Sequence, residues 1–316
     1  MNILVTGGAG FIGSTLIDNL LKDVNNYVIS IDNYDEFYDK EIKVSNQANH
    51  FKSNNFKFYN IDIRDIQKLN IKEKIDCIVH LAAKAGVRPS VQNPKHFYEV
   101  NVNGTLSMLE YAKNNNIQQF VFASSSSVYG INNQIPWKED ELNLLPISPY
   151  ASSKIACEKL GFTYSHIYNI RFIGLRFFTV YGPRQRPDLA INKFFKNILS
   201  NKPIDVFGDG NTYRDYTYID DIILGIKSAM YYDKSNYELI NLGNSKTVKL
   251  IDLIDDISKL VNIPKIINFK SEQIGDVPKT CADIQKAFLY LDFNPITTLS
   301  DGLKNQLNWI KSNCYD

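Results

Sequence analysis

The chain has 316 residues, of which 44% are hydrophobic and 22% charged, so it is long enough for a large core and about two domains. Its formal net charge of +1 favours neither nucleic acid nor an anionic membrane as a partner, and no apolar run is long enough to span a bilayer. Four widely spaced cysteines and four histidines predict neither a disulfide framework nor a metal site, and we expect a cytoplasmic protein.

Short apolar segments alternate with amphipathic ones through the first half of the chain. Strands are predicted at 2–6, 27–32, 56–62, 75–82, 119–125 and 169–178, and helices at 11–22, 96–115 and 150–168. This alternation is typical of βαβ units, so we expect an α/β protein with a Rossmann-type, doubly wound parallel sheet. Beyond about residue 180 glycine and proline interrupt the pattern, and a helix is predicted at 190–200. We predict a first domain over 1–178, to which later segments return, and a smaller C-terminal α/β lobe over 179–316.

A glycine-rich turn follows the first predicted strand. Its sequence, TGGAGFIG, places Gly7, Gly10 and Gly13 directly before the first predicted helix. Glycines in this context allow a tight turn and a close approach of backbone N–H groups to a pyrophosphate. The amino end of the helix adds a favourable partial positive charge. The turn therefore predicts a dinucleotide site.

Charged residues follow the next three strands. Asp32 ends the second strand about 20 residues beyond the turn, where a carboxylate would hold ribose hydroxyls and repel a 2′-phosphate, which favours NAD over NADP. Asp62 follows the third strand and could lie at the adenine edge, and Lys84 follows the fourth and could lie beside the ribose. The alternative for Asp32 is a cap at the end of its strand, and for the other two a solvent-facing loop.

Tyr150 precedes Lys154 by four residues near the start of a long predicted helix, so the two side chains share a helix face. Each group ordinarily titrates near pH 10, but an ammonium beside a phenol stabilises the phenolate, as does a positively charged nicotinamide ring. We expect a lowered pKa for Tyr150, which would make it a general base suited to neutral pH. The serine run 124–127, at the end of the fifth strand, offers a hydroxyl to relay a proton.

Several further segments occur in a familiar order: NVNGT (101–105), SSSSVYG (124–130), SPYASSK (148–154), LRFFTVYGPRQRPD (175–188), GDGNTYRDYTYIDD (208–221) and GDVPKTCAD (275–283). With the glycine turn, they make the chain resemble the extended short-chain dehydrogenase/reductase superfamily, and within it the nucleotide-sugar 4-epimerases. The resemblance covers nearly the whole chain. It implies tightly bound NAD, a UDP-sugar substrate, an NAD-binding first domain and a second lobe that binds mainly the UDP-sugar.

The resemblance also implies roles for individual residues. Ser125 would be the hydroxyl relay, Tyr150 the base and Lys154 its partner. The implied NAD-binding residues are Gly7, Gly10, Phe11, Ile12, Gly13, Asp32, Asn33, Asp62, Ile63, Leu81, Ala82, Ala83, Lys84, Asn101, Tyr150 and Lys154. The implied substrate-binding residues are Arg88, Ser125, Ser127, Tyr150, Thr179, Arg186, Arg214, Asp276 and Thr280. Of these, Arg214 and Asp276 would grip the uridine diphosphate and its ribose, and Arg88 the diphosphate.

The implied reaction oxidises C4 of the sugar to a ketone and reduces it again from the opposite face. The alternatives are a sugar-nucleotide 4,6-dehydratase and a UDP-glucuronate decarboxylase, in which an acidic residue directly precedes VYG. Residues 125–127 are all serine here, which favours epimerisation. A non-catalytic NAD-binding module is the remaining alternative, and the complete Ser–Tyr–Lys set argues against it.

Three UDP-sugars remain open at this point. Thr280 occupies the position that gates the sugar pocket in 4-epimerases, and its small side chain would admit UDP-N-acetylglucosamine. The segments around Thr179 and Arg186 most resemble UDP-glucuronate 4-epimerases, where these residues and Ser127 could hold a carboxylate. We rank UDP-glucuronate first, ahead of UDP-N-acetylglucosamine and UDP-glucose. The alternative is that Arg184 and Arg186 bind only diphosphate or pair with a surface acid.

The two long predicted helices carry apolar residues on more than one face, including Leu106, Leu109, Ile155 and Leu160. In the superfamily that the chain resembles, these helices commonly pair across a two-fold axis. A homodimer is therefore expected.

Overall fold

A computed structural model of the chain describes residues 1–132, 134–271 and 277–313. Its strands are β1 (Asn2–Thr6), β2 (Tyr27–Asp32), β3 (Phe56–Asn60), β4 (Cys77–His80), β5 (Gln119–Ser125), β6 (Arg171–Phe177), β7 (Thr179–Tyr181), β8 (Ile204–Phe207), β9 (Tyr213–Tyr218), β10 (Tyr237–Leu242), β11 (Thr247–Lys249) and β12 (Ile267–Lys270). Its α-helices are α1 (Phe11–Leu20), α2 (Lys40–Gln47), α3 (Val87–Gln92), α4 (Pro94–Tyr98), α5 (Gly104–Asn114), α6 (Pro149–Tyr168), α7 (Ala190–Leu199), α8 (Ile219–Met230), α9 (Leu250–Val261), α10 (Gln285–Leu291) and α11 (Leu299–Ser312).

Seven parallel strands form the central sheet in the order β10-β6-β5-β4-β1-β2-β3. The order reverses at β1, which pairs with β2 on one side and β4 on the other. Ligands of such sheets bind at the carboxyl ends of the strands beside this reversal. The expected doubly wound sheet is therefore confirmed, and it predicts where the site lies.

Both faces of the sheet are covered, because neighbouring strand residues enter different cores. Ile3 and Val5 pack with residues of α1 and α8, whereas Leu4, between them, packs with residues of α5 and α6. This explains why the strands are continuous apolar runs. Successive side chains point to opposite faces of the sheet, and both faces are buried. The six predicted strands are confirmed with slightly different bounds.

The predicted helix 96–115 is interrupted. The chain forms α4, then a π-helical turn over Glu99–Asn103, and then α5. Periodicity does not reveal this irregularity, because the apolar spacing continues across it. The turn directs Asn101 towards α6, where its amide nitrogen donates to the Ser153 hydroxyl at 2.9 Å.

The later part of the chain forms two small sheets and also returns to the large one. β7, β9 and β11 form a three-stranded sheet, β8 and β12 pair in parallel, and β10 joins the edge of the central sheet beside β6. The boundary between residues 178 and 179 stays a prediction. Within the described residues, no helix combines the length and apolar character needed to cross a membrane.

Asp215 ties these later segments together. Its carboxylate accepts hydrogen bonds from the backbone N–H groups of Asn244 at 2.8 Å, Ser245 at 3.0 Å and Ala282 at 3.0 Å. A buried backbone donor without a partner destabilises a fold, so one carboxylate that satisfies three such groups holds β9 against the loop after β10.

Candidate active site

A cavity of about 400 Å³ lies at the carboxyl edge of the central sheet. Its walls come from the segments after β1, β2, β3, β4, β5 and β6, which the parallel arrangement brings together. The structure brings most of the predicted site residues into these walls: Gly7, Gly10, Phe11, Ile12, Gly13, Asp32, Asn33, Asp62, Ile63, Leu81, Ala82, Ala83, Lys84, Ser125, Tyr150, Lys154, Thr179 and Arg186.

The glycine turn can pack closely against its neighbours only because side chains are missing from it. Gly7 has a φ of +71°, which glycine adopts without strain. A Cβ on Gly13 would lie 2.2 Å from the carbonyl oxygen of Gly7, so the first turn of α1 could not pack against the loop. This cradle fits a dinucleotide pyrophosphate at the amino end of α1.

Asp32 lies at the end of β2 beside the glycine turn. Its carboxylate accepts hydrogen bonds from the backbone N–H groups of Ala9 at 3.0 Å and Tyr34 at 2.8 Å. Burial raises the pKa of Asp32, although these hydrogen bonds oppose the shift. Each carboxylate oxygen can accept a further bond, so Asp32 can both cap its strand and receive ribose hydroxyls.

Asp62 and Asn33 lie side by side after β3 and β2. The Asn33 amide donates to Asp62 at 3.0 Å, and the Arg64 guanidinium donates to both Asp62 oxygens at 2.8 Å. The hydrogen bond from Arg64 is the main reason why the pKa of Asp62 lies below its ordinary value. Asp62 is therefore a negatively charged hydrogen-bond acceptor in the wall of the cavity.

Lys84 faces the loop that follows β2. Its ammonium lies 2.6 Å from the carboxylate of Asp35. The side chain of Asn101 accepts a hydrogen bond from the backbone N–H of Lys84 and donates one to the Lys84 carbonyl oxygen. Asn101 is almost fully buried and lies outside the described lining of the cavity. Asn101 therefore positions the backbone of Lys84. Direct contact of Asn101 with a cofactor stays a prediction.

Tyr150 enters the cavity at the start of α6. Pro149 occupies the first helical turn, and the Ser148 hydroxyl accepts a hydrogen bond from the backbone N–H of Ala151 at 3.1 Å. Proline and an N-terminal serine cap are both favourable at this position, so the helix start is fixed by its own sequence. Ser125, at the end of β5, lines the same cavity as Tyr150.

Lys154 lies one turn further along the same helix, with its ammonium fully buried. Its Nζ donates to the carbonyl oxygen of Ala123 at 2.6 Å and lies 4.8 Å from the centre of the Phe122 ring. Burial lowers the pKa of Lys154 to about 8. The ammonium is therefore anchored to β5 rather than to the phenol.

The expectation that the protein itself lowers the pKa of Tyr150 is wrong. Burial raises the pKa of Tyr150 above its ordinary value, and the opposing influences are the Ser125 side chain and the charge of Arg186. Four-residue spacing predicted a shared helix face correctly, but it could not predict that Lys154 bonds to a backbone carbonyl. A cationic nicotinamide ring would lower the pKa by adding positive charge.

Thr179 and Arg186 also line the cavity. Arg186 is paired with Asp188, and Arg184 is paired with Asp18 at 2.6 Å. The alternative that these arginines pair with acids is therefore realised in both cases. Arg186 nevertheless lines the cavity with Tyr150, whereas Arg184 is outside the described lining.

Four other predicted substrate residues lie outside the described lining of the cavity. Ser127 accepts a hydrogen bond from Ser125 at 3.1 Å, and Arg88 lies 4.6 Å from the Phe207 ring centre. Arg214 donates to the Tyr213 carbonyl oxygen at 2.9 Å, and Thr280 accepts from the backbone N–H of Asp215 at 3.1 Å. Asp276 lies outside the described residues. Substrate contacts of all five stay predictions.

Sequence reasoning missed several residues in the walls of the cavity. Residues 33–39, here called the strap, follow β2 and contribute Asp35, Phe37 and Tyr38 to the walls, and Lys43 of α2 joins them. The available signal was the sequence NYDEFYD, in which aromatic and acidic residues alternate directly after the proposed ribose-binding Asp32. Within the described residues, no cluster of side chains is suited to a metal ion.

A parallel sheet with a glycine cradle, an acid at the end of β2 and a Ser–Tyr–Lys set defines an NAD-dependent enzyme of the short-chain dehydrogenase/reductase class. Residues 3–243 match the model of the NAD-dependent epimerase/dehydratase family. The chain belongs to this family.

Individual relatives cover nearly the whole chain. A UDP-glucuronate 4-epimerase of Thermodesulfobacterium geofontis is 40% identical, over 98% of this chain and 96% of its own. The crystal structure of UDP-glucuronic acid 4-epimerase from Bacillus cereus with UDP-glucuronic acid and NAD has a TM-score of 0.92 and 37% identity, over 99% of each chain. UDP-N-acetylglucosamine 4-epimerase from Methanobrevibacter ruminantium M1, solved with UDP-N-acetylmuramic acid, has a TM-score of 0.89 and 32% identity, over 98% of each chain.

Proposed function

We propose that the protein is an NAD-dependent UDP-sugar 4-epimerase whose preferred substrate is UDP-glucuronate. The observation that carries the choice of sugar is the guanidinium of Arg186, which lines the same cavity as Tyr150 and Thr179. A guanidinium recognises a carboxylate through paired, charge-assisted hydrogen bonds. A uronate carries that carboxylate at C6, whereas glucose and N-acetylglucosamine carry a hydroxyl there. The UDP-glucuronate 4-epimerases among the relatives support the same choice.

The residues of the cavity divide the work of the reaction. Bound NAD supplies a hydride acceptor and donor for C4, and the glycine turn, Asp32 and Lys84 would hold it. Tyr150 takes the proton from O4 as C4 is oxidised and returns it when C4 is reduced on the opposite face. Ser125 donates a hydrogen bond to the same oxygen, and the charge of Arg186 favours the phenolate. The buried Lys154 would help to hold the cofactor.

The alternative reactions lack a required group. Elimination of water or loss of carbon dioxide in relatives uses an acidic residue next to VYG, and the turn Ser126–Tyr129 carries serine there. UDP-N-acetylglucosamine is favoured by one relative, but the small residue Thr280, which would admit it, bonds to Asp215 away from the described cavity lining. A non-catalytic module does not require the Ser125–Tyr150–Lys154 set.

The test is to incubate the purified protein with UDP-glucuronate, UDP-N-acetylglucosamine and UDP-glucose and to resolve the products. We expect C4 inversion at unchanged mass, with the highest kcat/KM for UDP-glucuronate. Loss of water or carbon dioxide would replace epimerisation by an alternative reaction. Absence of turnover in a preparation that retains NAD would favour a binding module. Higher kcat/KM for a neutral sugar would contradict the choice of substrate.

We also propose that the enzyme is a cytoplasmic homodimer. Free, buried thiols such as Cys77 and Cys157 suit a reducing compartment. Exposed apolar side chains on α4, α5 and α6, such as Tyr98, Leu106 and Ile167, suit a helical interface.

A further inference from the structure

The guanidinium of Arg186 is held along one edge by Asp188. Nε donates to Oδ1 at 2.9 Å, and Nη2 donates to Oδ2 at 2.7 Å. The two side chains are 17% and 34% exposed, so solvent weakens this pair less than an ordinary surface pair. Two parallel bonds fix the plane of the guanidinium, and the donors on Nη1 then point away from Asp188.

The strap covers a face of the same guanidinium. Cζ of Arg186 lies 5.1 Å from the centre of the Phe37 ring, within the range of a cation–π contact. Asp35 fastens the strap, because its carboxylate pairs with Lys84 and its carbonyl oxygen accepts a hydrogen bond from Lys43. A segment that follows the proposed ribose-binding Asp32 therefore helps to hold the side chain that is proposed to bind the sugar carboxylate.

An unrestrained arginine loses much rotamer freedom when it binds a ligand, whereas a preorganised one has already lost it. We propose that Asp188 and Phe37 are positioning residues that make Arg186 selective for a carboxylate at C6 of the sugar. Asp188 holds one edge of the guanidinium through two hydrogen bonds, and Phe37 holds it through a cation–π contact. The N–H groups left on Nη1 would donate hydrogen bonds to the sugar carboxylate. The proposal rests on the proposed function in that the substrate is a uronate.

The first experiment compares Asp188→Ala and Phe37→Leu with the wild type, with UDP-glucuronate and UDP-glucose as substrates and with NAD content measured in each preparation. We expect Asp188→Ala to raise KM for UDP-glucuronate about tenfold, with kcat within about threefold and KM for UDP-glucose unchanged, because a misplaced group weakens binding at one subsite. Phe37→Leu should also raise KM for UDP-glucuronate, by a smaller factor. Asp205→Ala, which removes a half-exposed acid of β8 paired with Lys270, is the matched control and should change nothing.

A merely structural role for Asp188 would lower activity with both sugars and reduce bound NAD, which would overturn the proposal. If Asp188→Ala does not fold, Asp188→Asn retains one acceptor oxygen and should raise KM for UDP-glucuronate by a smaller factor. A normal KM for that sugar in Asp188→Asn would then count against the role.

A double-mutant cycle tests whether Asp188 acts through Arg186. In an Arg186→Met background, Asp188→Ala should raise KM for UDP-glucuronate no further, and independent effects would overturn the proposal. A wild type that inverts only neutral sugars would refute both the proposed substrate and the positioning role. A wild type active on UDP-glucuronate with an unselective Asp188→Ala variant overturns the positioning role alone.

Discussion

Tyr150 and Lys154 share a helix face but have different neighbours on β5. Tyr150 lies beside the Ser125 hydroxyl, and Lys154 donates to the Ala123 carbonyl oxygen. The positions of all three were predictable from sequence, because spacing along a helix and the end of a strand place residues reliably. The protonation of the phenol was not, because it depends on burial and on Arg186, a residue distant in the chain.

Replacement of Tyr150 by phenylalanine removes the proposed base and little volume. We expect Tyr150→Phe to keep bound NAD and to lose about 10²–10⁴-fold in kcat, the usual contribution of a general base. The measurement is turnover of UDP-glucuronate alongside NAD released on denaturation. Tyr231→Phe, which alters an exposed phenol directly after α8, is the control. Near-normal turnover in Tyr150→Phe would contradict the assigned base.

The pKa of Tyr150 predicts the pH dependence of catalysis. A base is active when deprotonated, and burial raises the pKa of this phenol, so kcat/KM should increase with pH through the neutral range. Burial lowers the pKa of Lys154 to about 8, so this side chain loses its charge at the upper end of the range. The loss of its proposed contact with the cofactor should flatten the increase there.

A variant of Arg186 tests the sign of this effect. The charge of Arg186 lowers the pKa of Tyr150, so Arg186→Met should move the rising limb of the profile to higher pH. The measurement is kcat/KM for UDP-glucose across the pH range, because this sugar does not need the guanidinium for a C6 carboxylate. A limb shifted to lower pH would refute the electrostatic influence of Arg186.

At the scale of elements, local sequence determined the sheet but not the strap. β1, β2 and β5 match the predicted segments, since apolar runs between turn residues are a strong strand signal. The strap has no periodicity, and its position depends on long-range contacts such as Lys84 with Asp35. The π-helical turn of Glu99–Asn103 was likewise hidden, because apolar spacing records faces rather than backbone hydrogen bonds.

The turn between β1 and α1 gives a graded prediction. A Cβ at Gly13 would lie 2.2 Å from the Gly7 carbonyl oxygen, and a Cβ at Gly10 would lie 3.2 Å from the same atom. Gly13→Ala should therefore destabilise the fold by about 1–3 kcal/mol and lose most bound NAD, because backbone atoms have to move. Gly10→Ala should retain more NAD. Urea unfolding and NAD content provide the comparison, and equal behaviour of the two variants would argue against the close-approach explanation.

At the scale of the whole molecule, the later segments were the hardest to predict. β10 joins the central sheet 60 residues after β6 ends, as counted from Phe177 to Tyr237, and β7 pairs with β9 across an intervening helix and strand. Such pairings depend on non-local contacts that periodicity cannot supply. The glycine- and proline-rich texture indicated a separate lobe but gave no information on its sheets.

The outer surfaces of α4, α5 and α6 bear on the quaternary structure. Of the apolar residues expected to form a helical interface, Leu109 is fully buried in the core and Leu160 packs against it, whereas Leu106 is 37% exposed. Phe162, on the same long helix as Leu160, is 52% exposed. Exposed apolar side chains on adjacent helices are favourable only if another surface covers them, and a second copy presents the same face.

The homodimer is tested by placing a charge in that face. Light scattering of the wild type should give twice the 36.2 kDa mass of the chain. The Leu106→Arg variant should have the single-chain mass, because a buried, unpaired guanidinium opposes association. Leu289→Arg changes a leucine of α10 that is 59% exposed and should remain dimeric. A wild type at the single-chain mass would refute the dimer, and equal dissociation of both variants would refute the proposed face. Because α6 also carries Tyr150 and Lys154, we expect the dissociated Leu106→Arg variant to bind NAD less tightly, as the interface would no longer support the helix that orders the base.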